Sequence, residues 1–424
     1  DYLAAHNLID GPGLVKLAVD IIKGGSSPRI YIIPGFLELS PLEKQLFYEL
    51  GRNPGRVVYL EPLPAKLTGA PSCDCELLPW LNQETCPPPF DDGTVGMFHA
   101  YGITNEVREV LRRIHQDEIP LDQVTVAVPS DEYRGAFLNL SRELGFGITI
   151  MEGIPAALTG PGRALQGLVN WVRENFSAAS LLSWLKDCRL LLRGAGGESL
   201  TPSEVEALLL RAQVGWGRSR YRRLEVLSRG ETEDRDARDG DSSSGPDGVT
   251  RAVKAGFLHV VLSEFFAVLP EMGSGMVSLK ELAEGLALIL QKVEPARDEL
   301  EQEALGLLLR RLKETSLMNQ IRLPLEEALH RIEALTYDLR VGGSGSLPGH
   351  LHLVGYRNLV WSDRPCTFVV GLDAGSFPGR ALQDPIVLDS ERFKIGHGLP
   401  PAARRPQAHE RLKKAALSTR RGRI

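Results

Sequence analysis

Short runs of β-branched and aromatic residues alternate with amphipathic segments along the first third of the chain. Such runs predict buried strands, and they lie at 29–33, 56–60, 97–101, 124–128 and 148–151. Helical spacing of apolar residues predicts helices at 104–115 and 131–144. A further helix is expected to begin at Ser40 and Pro41, where Glu43 would complete a capping box. Alternating strands and helices predict a parallel sheet covered by helices, which makes the fold class α/β.

The pattern changes to almost continuous helix between about 162 and 340. Apolar residues keep helical spacing there, and they predict helices that include 279–291, 298–314 and 324–338. Within this block, 228–248 is acidic, rich in Ser and Gly and almost free of apolar residues, so we expect a mobile acidic loop. Strands return at 351–354 and 367–370. A large all-helical insertion is therefore expected inside an α/β domain.

Composition narrows the function classes only slightly. The 424 residues carry a net charge of −5, which argues neither for nor against a nucleic-acid partner. No apolar run approaches the roughly 20 residues of a spanning helix, and no signal peptide is visible, so we expect no membrane partner. The five cysteines are sparse and odd in number, which favours reduced thiols and a cytoplasmic location. Cys73, Cys75 and Cys86 lack the usual zinc spacing, so no metal site is predicted.

The most informative segment is the strand at 367–370 together with the Gly- and Pro-rich loop 371–379 that follows it. Open α/β sheets bind ligands at the carboxyl ends of their strands. The stretch from Val369 to Pro378 resembles the V-x-G-L-x-x-G-x-F-P segment in the second RecA-like domain of UvrD/RecB-type superfamily 1 helicases. It is most similar to the helicase-like AddB (RexB) subunits of bacterial recombination nucleases. Residues 384–392 are similar to the D-P-x-L-L-x-D-x-E-R continuation in that family.

The resemblance implies RecA-like parallel sheets and a definite domain order. A first RecA-like domain would end within 1–62, and 63–95 would connect it to a second one. The second domain would be split between 96–161 and 346–424, with the helical insertion at 162–345. Because the chain begins at Asp1 without Met and ends just after a basic segment, we expect a piece of a longer protein.

The resemblance also implies that ATP hydrolysis has been lost. The family holds Mg²⁺ and the attacking water with a D-E-x-Q-D motif after a strand. The matching stretch places Pro34 and Gly35 where the two acidic residues belong, and neither side chain can bind a metal. The chain contains no Gly-Lys dipeptide, so a P-loop would have to lie upstream of Asp1. We therefore expect no cofactor in this chain, with ATP and Mg²⁺ bound only by the parent protein or a partner subunit. A strand-turn-helix without helicase ancestry is the alternative interpretation.

The carboxyl-terminal segment is strongly basic, because Glu410 is the only acidic residue between 404 and 423. Residues 409–420 resemble the family's E-E-R-R-L-x-Y-V-A-x-T-R helix, whose last arginine touches the γ-phosphate of ATP. Arg420 matches that arginine and would be a relic phosphate contact, and Arg411 and Arg421 are further candidates for nucleic-acid contact. No lysine follows an acidic residue by two positions, so the Glu-x-Lys or Asp-x-Lys nuclease core of AddB-like proteins is absent from this sequence.

Aromatic and basic residues at the predicted strand ends are candidates for stacking on unpaired bases. They are His99, Tyr101, Tyr356, Arg357 and Trp361. Packing at the strand ends is the alternative. A second basic and aromatic group lies in the helical block, as either a nucleic-acid contact or a solvated face: Arg211, Arg218, Arg220, Arg222 and Arg223 with Trp216 and Tyr221. Gly160 and Gly162 could offer amides to a phosphate or form a hinge.

The resemblance implies a DNA-binding, helicase-like and ATPase-inactive segment of a subunit that acts in double-strand-break repair. The expected partners are single-stranded or tailed duplex DNA and an AddA-like helicase-nuclease subunit. One alternative is a segment of an active superfamily 1 helicase whose carboxylate pair lies elsewhere. Another is a small-molecule α/β enzyme, which would need a catalytic triad or cofactor loop that the sequence does not show.

Overall fold

The computed structural model describes thirteen stretches of the chain, which divide into two compact units. The first unit consists of Asp1–Met151 with Gly345–Ile424, and the second is Glu152–Ser344. The described residues are 9–23, 30–34, 39–51, 57–60, 95–193, 198–229, 246–271, 275–293, 295–317, 321–362, 364–373, 383–395 and 401–402. Most of the predicted connector 63–95 and of the predicted acidic loop 228–248 lies outside them, as do Gly35, Arg411, Arg420 and Arg421.

The first unit begins with two helices and two short strands. They are α1 (Gly11–Lys23), β1 (Tyr31–Pro34), α2 (Pro41–Leu50) and β2 (Val57–Leu60). The two strands pair in parallel, with Tyr31 opposite Val57. The predicted capping box is confirmed, since the Ser40 amide donates to Glu43 Oε2 (2.7 Å) and the Glu43 amide donates to Ser40 Oγ (3.3 Å). The hydrogen bonds from Ser40 also lower the pKa of the Glu43 carboxyl.

The next elements match the predicted alternation except at one point. They are α3 (Ile103–Gln116), β3 (Val124–Val128), α4 (Asp131–Leu144) and β4 (Ile148–Ile150). The strand predicted at 97–101 is wrong, because 95–100 has no regular structure. Side chains do alternate there: Phe98 and Ala100 are half-buried, whereas Met97 and Tyr101 are exposed. Phe98 packs against α3, with the Arg113 guanidinium 4.7 Å from its ring centroid. The period-two pattern therefore reflects packing on a helix, without a strand ladder.

The second unit is mainly helical. Its helices are α5 (Gly160–Arg173), α6 (Ala178–Asp187), α7 (Pro202–Arg211), α8 (Arg223–Ser228), α9 (Pro246–Val268), α10 (Leu279–Lys292), α11 (Glu299–Ser316) and α12 (Leu325–Asp338). Its strands are β5 (Ile154–Pro155), β6 (Leu192–Arg193), β7 (Ser199–Leu200), β8 (Met276–Ser278), β9 (Arg322–Pro324) and β10 (Arg340–Val341). These form three short antiparallel pairs, so the unit is not all-helical as predicted. Strands of two or three residues are too short to produce a hydrophobic period.

One continuous apolar core holds the second unit together. Leu165, Leu168, Val169 and Val172 form one face of α5 and are fully buried, which is the spacing that predicted this helix. At the aromatic centre of the core Trp171 stacks on Trp184 and also contacts three further rings, from Phe176, Tyr221 and Phe266. Burying such large side chains supplies most of the stability of a helical unit.

After the helical unit the chain returns to the first unit and completes its sheet. The remaining elements are β11 (Leu351–Gly355), β12 (Cys366–Val369) and α13 (Asp389–Ile395). The four strands are parallel in the order β12-β3-β11-β4, with Leu353 opposite both Val126 and Ile150. β11 thus lies between two strands that precede the second unit in sequence. Every residue of β3 and β11 is buried, including the polar Thr125 and His352, which explains why apolar residues occupy both faces of each strand. The α/β class is confirmed.

Arg364 ties together the amino ends of three strands. Its guanidinium donates to the carbonyls of Val124 (2.8 Å), His350 (2.7 Å) and Leu121 (3.1 Å), and also to Leu347 (3.2 Å). Burial lowers the pKa of this guanidinium. Among the residues described, no helix combines the length and apolarity needed to cross a membrane.

Candidate functional site

The carboxyl ends of the four parallel strands form one edge of the sheet in the first unit. From β3 the chain passes β11 to reach β4, and from β11 it passes back over β3 to reach β12. Parallel crossovers are right-handed, so connections that run in opposite directions leave on opposite faces of the sheet. Ligands of open α/β sheets bind in the crevice that this reversal creates. The candidate site is therefore this edge, which we call the carboxyl edge.

Glu106, in the first turn of α3, connects two elements at the carboxyl edge. Its Oε1 accepts the amide of Gly371 (2.9 Å), just after β12, and its Oε2 accepts the hydroxyl of Tyr133 on α4. Burial raises the pKa of the Tyr133 phenol well above its usual range, and the hydrogen bond to Glu106 raises it further. The phenol therefore remains a donor at neutral pH, and both oxygens of Glu106 are used within the fold.

Tyr356 is the first residue after β11 and binds back to the next strand. Its hydroxyl donates to the carbonyl of Val370. Burial raises the pKa of this phenol well above its usual range, and the nearby charges of Glu106 and Asp373 raise it further. The ring is half-buried. The side chain of Tyr356, one of the predicted stacking residues, thus already holds the edge of the sheet together.

Gly371 closes the edge where β12 ends. Its φ is +73°, a left-handed conformation that residues with a side chain rarely adopt. A Cβ at this position would lie 2.5 Å from Pro129 Cγ and 3.2 Å from Tyr133 Cε2. Both the backbone conformation and the close packing therefore require glycine. Gly371, the first residue of the Gly-Leu-Asp segment that resembles the helicase family, therefore has a structural role.

His99 and Tyr101 lie beside the carboxyl edge, although not on a strand. Tyr101 precedes α3 by two residues, and the Asn105 side chain donates to its carbonyl (2.9 Å). Because Glu106 in the same helical turn reaches Gly371, this loop lies at the same edge. The two rings contact edge to face, with centroids 4.9 Å apart, and the Tyr101 side chain is 82% exposed.

Arg357 and Trp361 lie on the connection that leaves β11 at the same edge. Both are exposed, and Trp361 ends the short 3-10 turn Leu359–Trp361. Three predicted residues, namely His99, Tyr101 and Arg357, are thus exposed on segments at the carboxyl ends of the strands. Trp361 is not placed with them, because the next residue, Ser362, is hydrogen-bonded to Thr125 near the amino end of β3. The predicted contacts Arg411, Arg420 and Arg421 lie outside the described residues, and Pro34 ends β1.

Sequence reasoning missed Glu106 and Tyr133. Once the elements are known, the position of each residue suggests a role near the strand ends. Tyr133 lies in the first turn of α4, which follows β3, and Glu106 lies in the first turn of α3. What the sequence could not show is that α3 begins next to the end of β12. That contact is between residues far apart in the chain, and no local pattern encodes it.

The helix that begins at Gly160 does not present free amides to a phosphate. The Gly160 amide donates to Oε1 of the buried Glu301 (3.2 Å), and the Gly162 amide donates to Thr159 Oγ1 (3.2 Å). A Cβ at 162 would lie 1.9 Å from the Ala156 carbonyl oxygen, so this glycine is required by packing. These contacts favour a structural role for Gly160 and Gly162 over phosphate binding. A hinge at this position stays a prediction.

No cluster of three or more His, Cys, Asp or Glu residues with a metal-binding arrangement occurs in the described part of the chain. The carboxyl edge offers the exposed aromatic rings of His99 and Tyr101 and the positive charge of Arg357, while Asp131, Glu132 and Asp373 place carboxylates at the same strand ends. Exposed rings of this kind are suited to stacking on bases. Comparison of the chain with models of protein families found no match, and comparison with curated proteins also found none.

Proposed function

We propose that this chain is a DNA-binding, helicase-like segment of an AddB/RexB-like subunit, and that it binds DNA without hydrolysing ATP. The observation that carries the proposal is the carboxyl edge of the parallel sheet. It gathers the exposed side chains of His99, Tyr101 and Arg357 on segments at the carboxyl ends of the strands. Sequence resemblance to the family supplies the expected order of domains, and the helical unit at Glu152–Ser344 interrupts the sheet-forming part as that order requires.

Single-stranded DNA is the ligand that this surface fits best. Unpaired bases expose π-faces that stack on aromatic rings, and each such contact contributes about 1–3 kcal/mol. Arg357 can supply charge to the phosphates at the same edge. A tailed duplex would offer the same unpaired segment. The RecA-like character of the sheet belongs to the proposal, and its support is the parallel order together with the V-x-G-L-x-x-G-x-F-P resemblance.

The loss of ATP hydrolysis is proposed from β1. Pro34 ends this strand, at the place where the resemblance expects the first of two acidic residues. A proline side chain can neither bind Mg²⁺ nor act as a base. In this proposal the chain acts in the cytoplasm as a scaffold that holds DNA for an AddA-like helicase-nuclease subunit. ATP and Mg²⁺ would then be bound by that partner or by other parts of the parent protein.

Changing His99 and Tyr101 together to alanine is expected to weaken single-stranded DNA binding about 10-fold, since about 1.4 kcal/mol of stacking would be lost. Both side chains are exposed, so the fold should be unaffected. Fluorescence anisotropy of a labelled oligonucleotide measures the affinity. Tyr337→Ala is the matched control, because Tyr337 is a 58% exposed tyrosine on α12 of the other unit. Equal affinities for the double variant and the control would remove the carboxyl edge from the proposed DNA path.

A further inference from the structure

Trp216 is an exposed tryptophan on a rigidly held loop of the helical unit. Its side chain is 56% exposed, whereas Val214 before it is buried. The residues on either side are fixed by backbone hydrogen bonds: the Gly215 carbonyl accepts the Ala178 amide (2.8 Å), and the Gly217 amide donates to the Asn175 carbonyl (2.8 Å). Single exposed hydrophobic residues are common on protein surfaces, so the case for a binding role rests on what surrounds Trp216.

Two residues of the predicted basic and aromatic group belong to the core and anchor this loop. The Tyr221 ring is 2% exposed, and its hydroxyl donates to the Phe176 carbonyl (2.9 Å). The Arg218 guanidinium lies over the Phe176 ring (4.6 Å to the centroid) and donates to the carbonyls of Leu269 (3.2 Å) and Pro270 (2.7 Å), just beyond α9. The remaining members of the group are therefore presented from a well-supported loop.

Arg220 places positive charge on the face of the Trp216 ring. The Arg220 guanidinium carbon lies 4.1 Å from the Trp216 ring centroid, which is a cation–π contact. Arg222, which ends the 3-10 turn Arg218–Arg222, is exposed, and so is Arg223 after it. Arg223 binds only a neutral carbonyl, that of Gln213 (3.0 Å), among the contacts described. Glu225 is the only acidic residue between 211 and 229, and it pairs with Arg229. Within the described part of the chain, Arg220 and Arg222 form no ion pair.

We propose that Trp216 and Arg220, with Arg222, form a stacking site for single-stranded nucleic acid on the helical unit. This inference rests on the proposed function and adds a second contact to it. An exposed indole can stack on a base of any sequence, and unpaired arginines beside it attract phosphates. An acidic peptide would be attracted by the same charge, but it has no planar group to match the indole face.

Photo-crosslinking with a 5-bromouracil oligonucleotide, followed by peptide mapping, locates the contact directly. We expect crosslinks on the peptide that contains Trp216. In anisotropy measurements Trp216→Ala should weaken binding about 10-fold. Removing the two arginines (R220A/R222A) should reduce the slope of log affinity against log salt by about 1.4, since each phosphate contact on a single strand contributes about 0.7. Arg331→Ala is the control, because Arg331 is exposed on α12 but already paired with Glu327 (2.8 Å).

The outcomes separate this site from the proposed function. Unchanged affinity of Trp216→Ala, with crosslinks confined to the 95–102 peptide, would overturn the Trp216 site and leave the carboxyl edge as the DNA contact. Absence of any DNA binding by the unaltered chain would overturn both. Tighter binding of a poly-glutamate peptide than of the oligonucleotide, lost in the R220A/R222A variant, would assign the surface to an acidic protein partner instead.

Discussion

Gly371→Ala is expected to destabilise the first unit by about 3 kcal/mol, the largest effect of a single methyl group at the carboxyl edge. The left-handed backbone at φ +73° costs a residue with a side chain about 1–2 kcal/mol. The added Cβ would lie 2.5 Å from the Pro129 ring, which cannot move aside as a flexible side chain could. Overpacking of this kind costs a further 1–3 kcal/mol or so. The variant would also disturb the hydrogen bond from this amide to Glu106.

Gly349→Ala separates the two contributions. Gly349 has a similar φ of +71°, but nothing lies within 4 Å of its Cβ position. We therefore expect it to cost only about 1 kcal/mol, from backbone strain alone. Hydrogen exchange of the Val126 and Leu353 amides in β3 and β11 reports on this sheet independently of the helical unit. If both variants accelerate exchange equally, the close packing of Gly371 on Pro129 contributes nothing to stability.

Arg218→Ala is expected to destabilise the helical unit by about 2–3 kcal/mol. Arg218 is the only described side chain that combines contacts to the Phe176 and Phe266 rings with hydrogen bonds to the carbonyls of Leu269 and Pro270. Hydrogen bonds from a charged donor contribute about 1.5–3 kcal/mol, and the cation–π contacts add to them. Burial lowers the pKa of this guanidinium, so the cost of burying its charge offsets part of the gain.

Arg220→Ala is the matched control for Arg218→Ala. The two residues lie in the same 3-10 turn, Arg218–Arg222, but Arg220 is exposed and touches only the surface ring of Trp216 among the contacts described. We expect its removal to change the free energy of unfolding by less than about 0.5 kcal/mol. Urea unfolding followed by tryptophan fluorescence, to which the buried Trp171 and Trp184 contribute, measures both variants. Equal stability of the two variants would show that Arg218 is not an anchor of the loop.

The elements that the sequence predicted well are those whose pattern is local. β3 and β11 are short and mostly apolar runs, and α2 carries both its capping box and a proline in the first turn. The order β12-β3-β11-β4 could not be predicted, because apolar periodicity does not say which strands are neighbours. The prediction of a strand at 97–101 was wrong because a period-two pattern does not reveal what the side chains pack against. The side chains there alternate because Phe98 packs on α3, and the pattern alone cannot distinguish this from pairing with another strand.

Only the part of the candidate site that depends on local sequence patterns could be predicted. His99, Tyr101, Arg357 and Trp361 were chosen because they flank apolar runs, and strand ends of a parallel sheet share an edge. Tyr356 was chosen on the same basis, but its hydroxyl binds the Val370 carbonyl within the fold. Glu106 and Arg218 act through contacts with residues distant in sequence, so their roles became visible only in three dimensions.

The salt dependence of single-stranded DNA binding by the unaltered chain tests the central proposal most directly. Phosphate contacts release counterions, so log affinity should fall linearly with log salt, with a slope of about −0.7 for each contact. We expect anisotropy titrations to show binding that weakens with a slope steeper than about −2, which corresponds to about three phosphates. Absence of binding at low salt, or binding that salt does not change, would contradict a DNA-binding role for this chain.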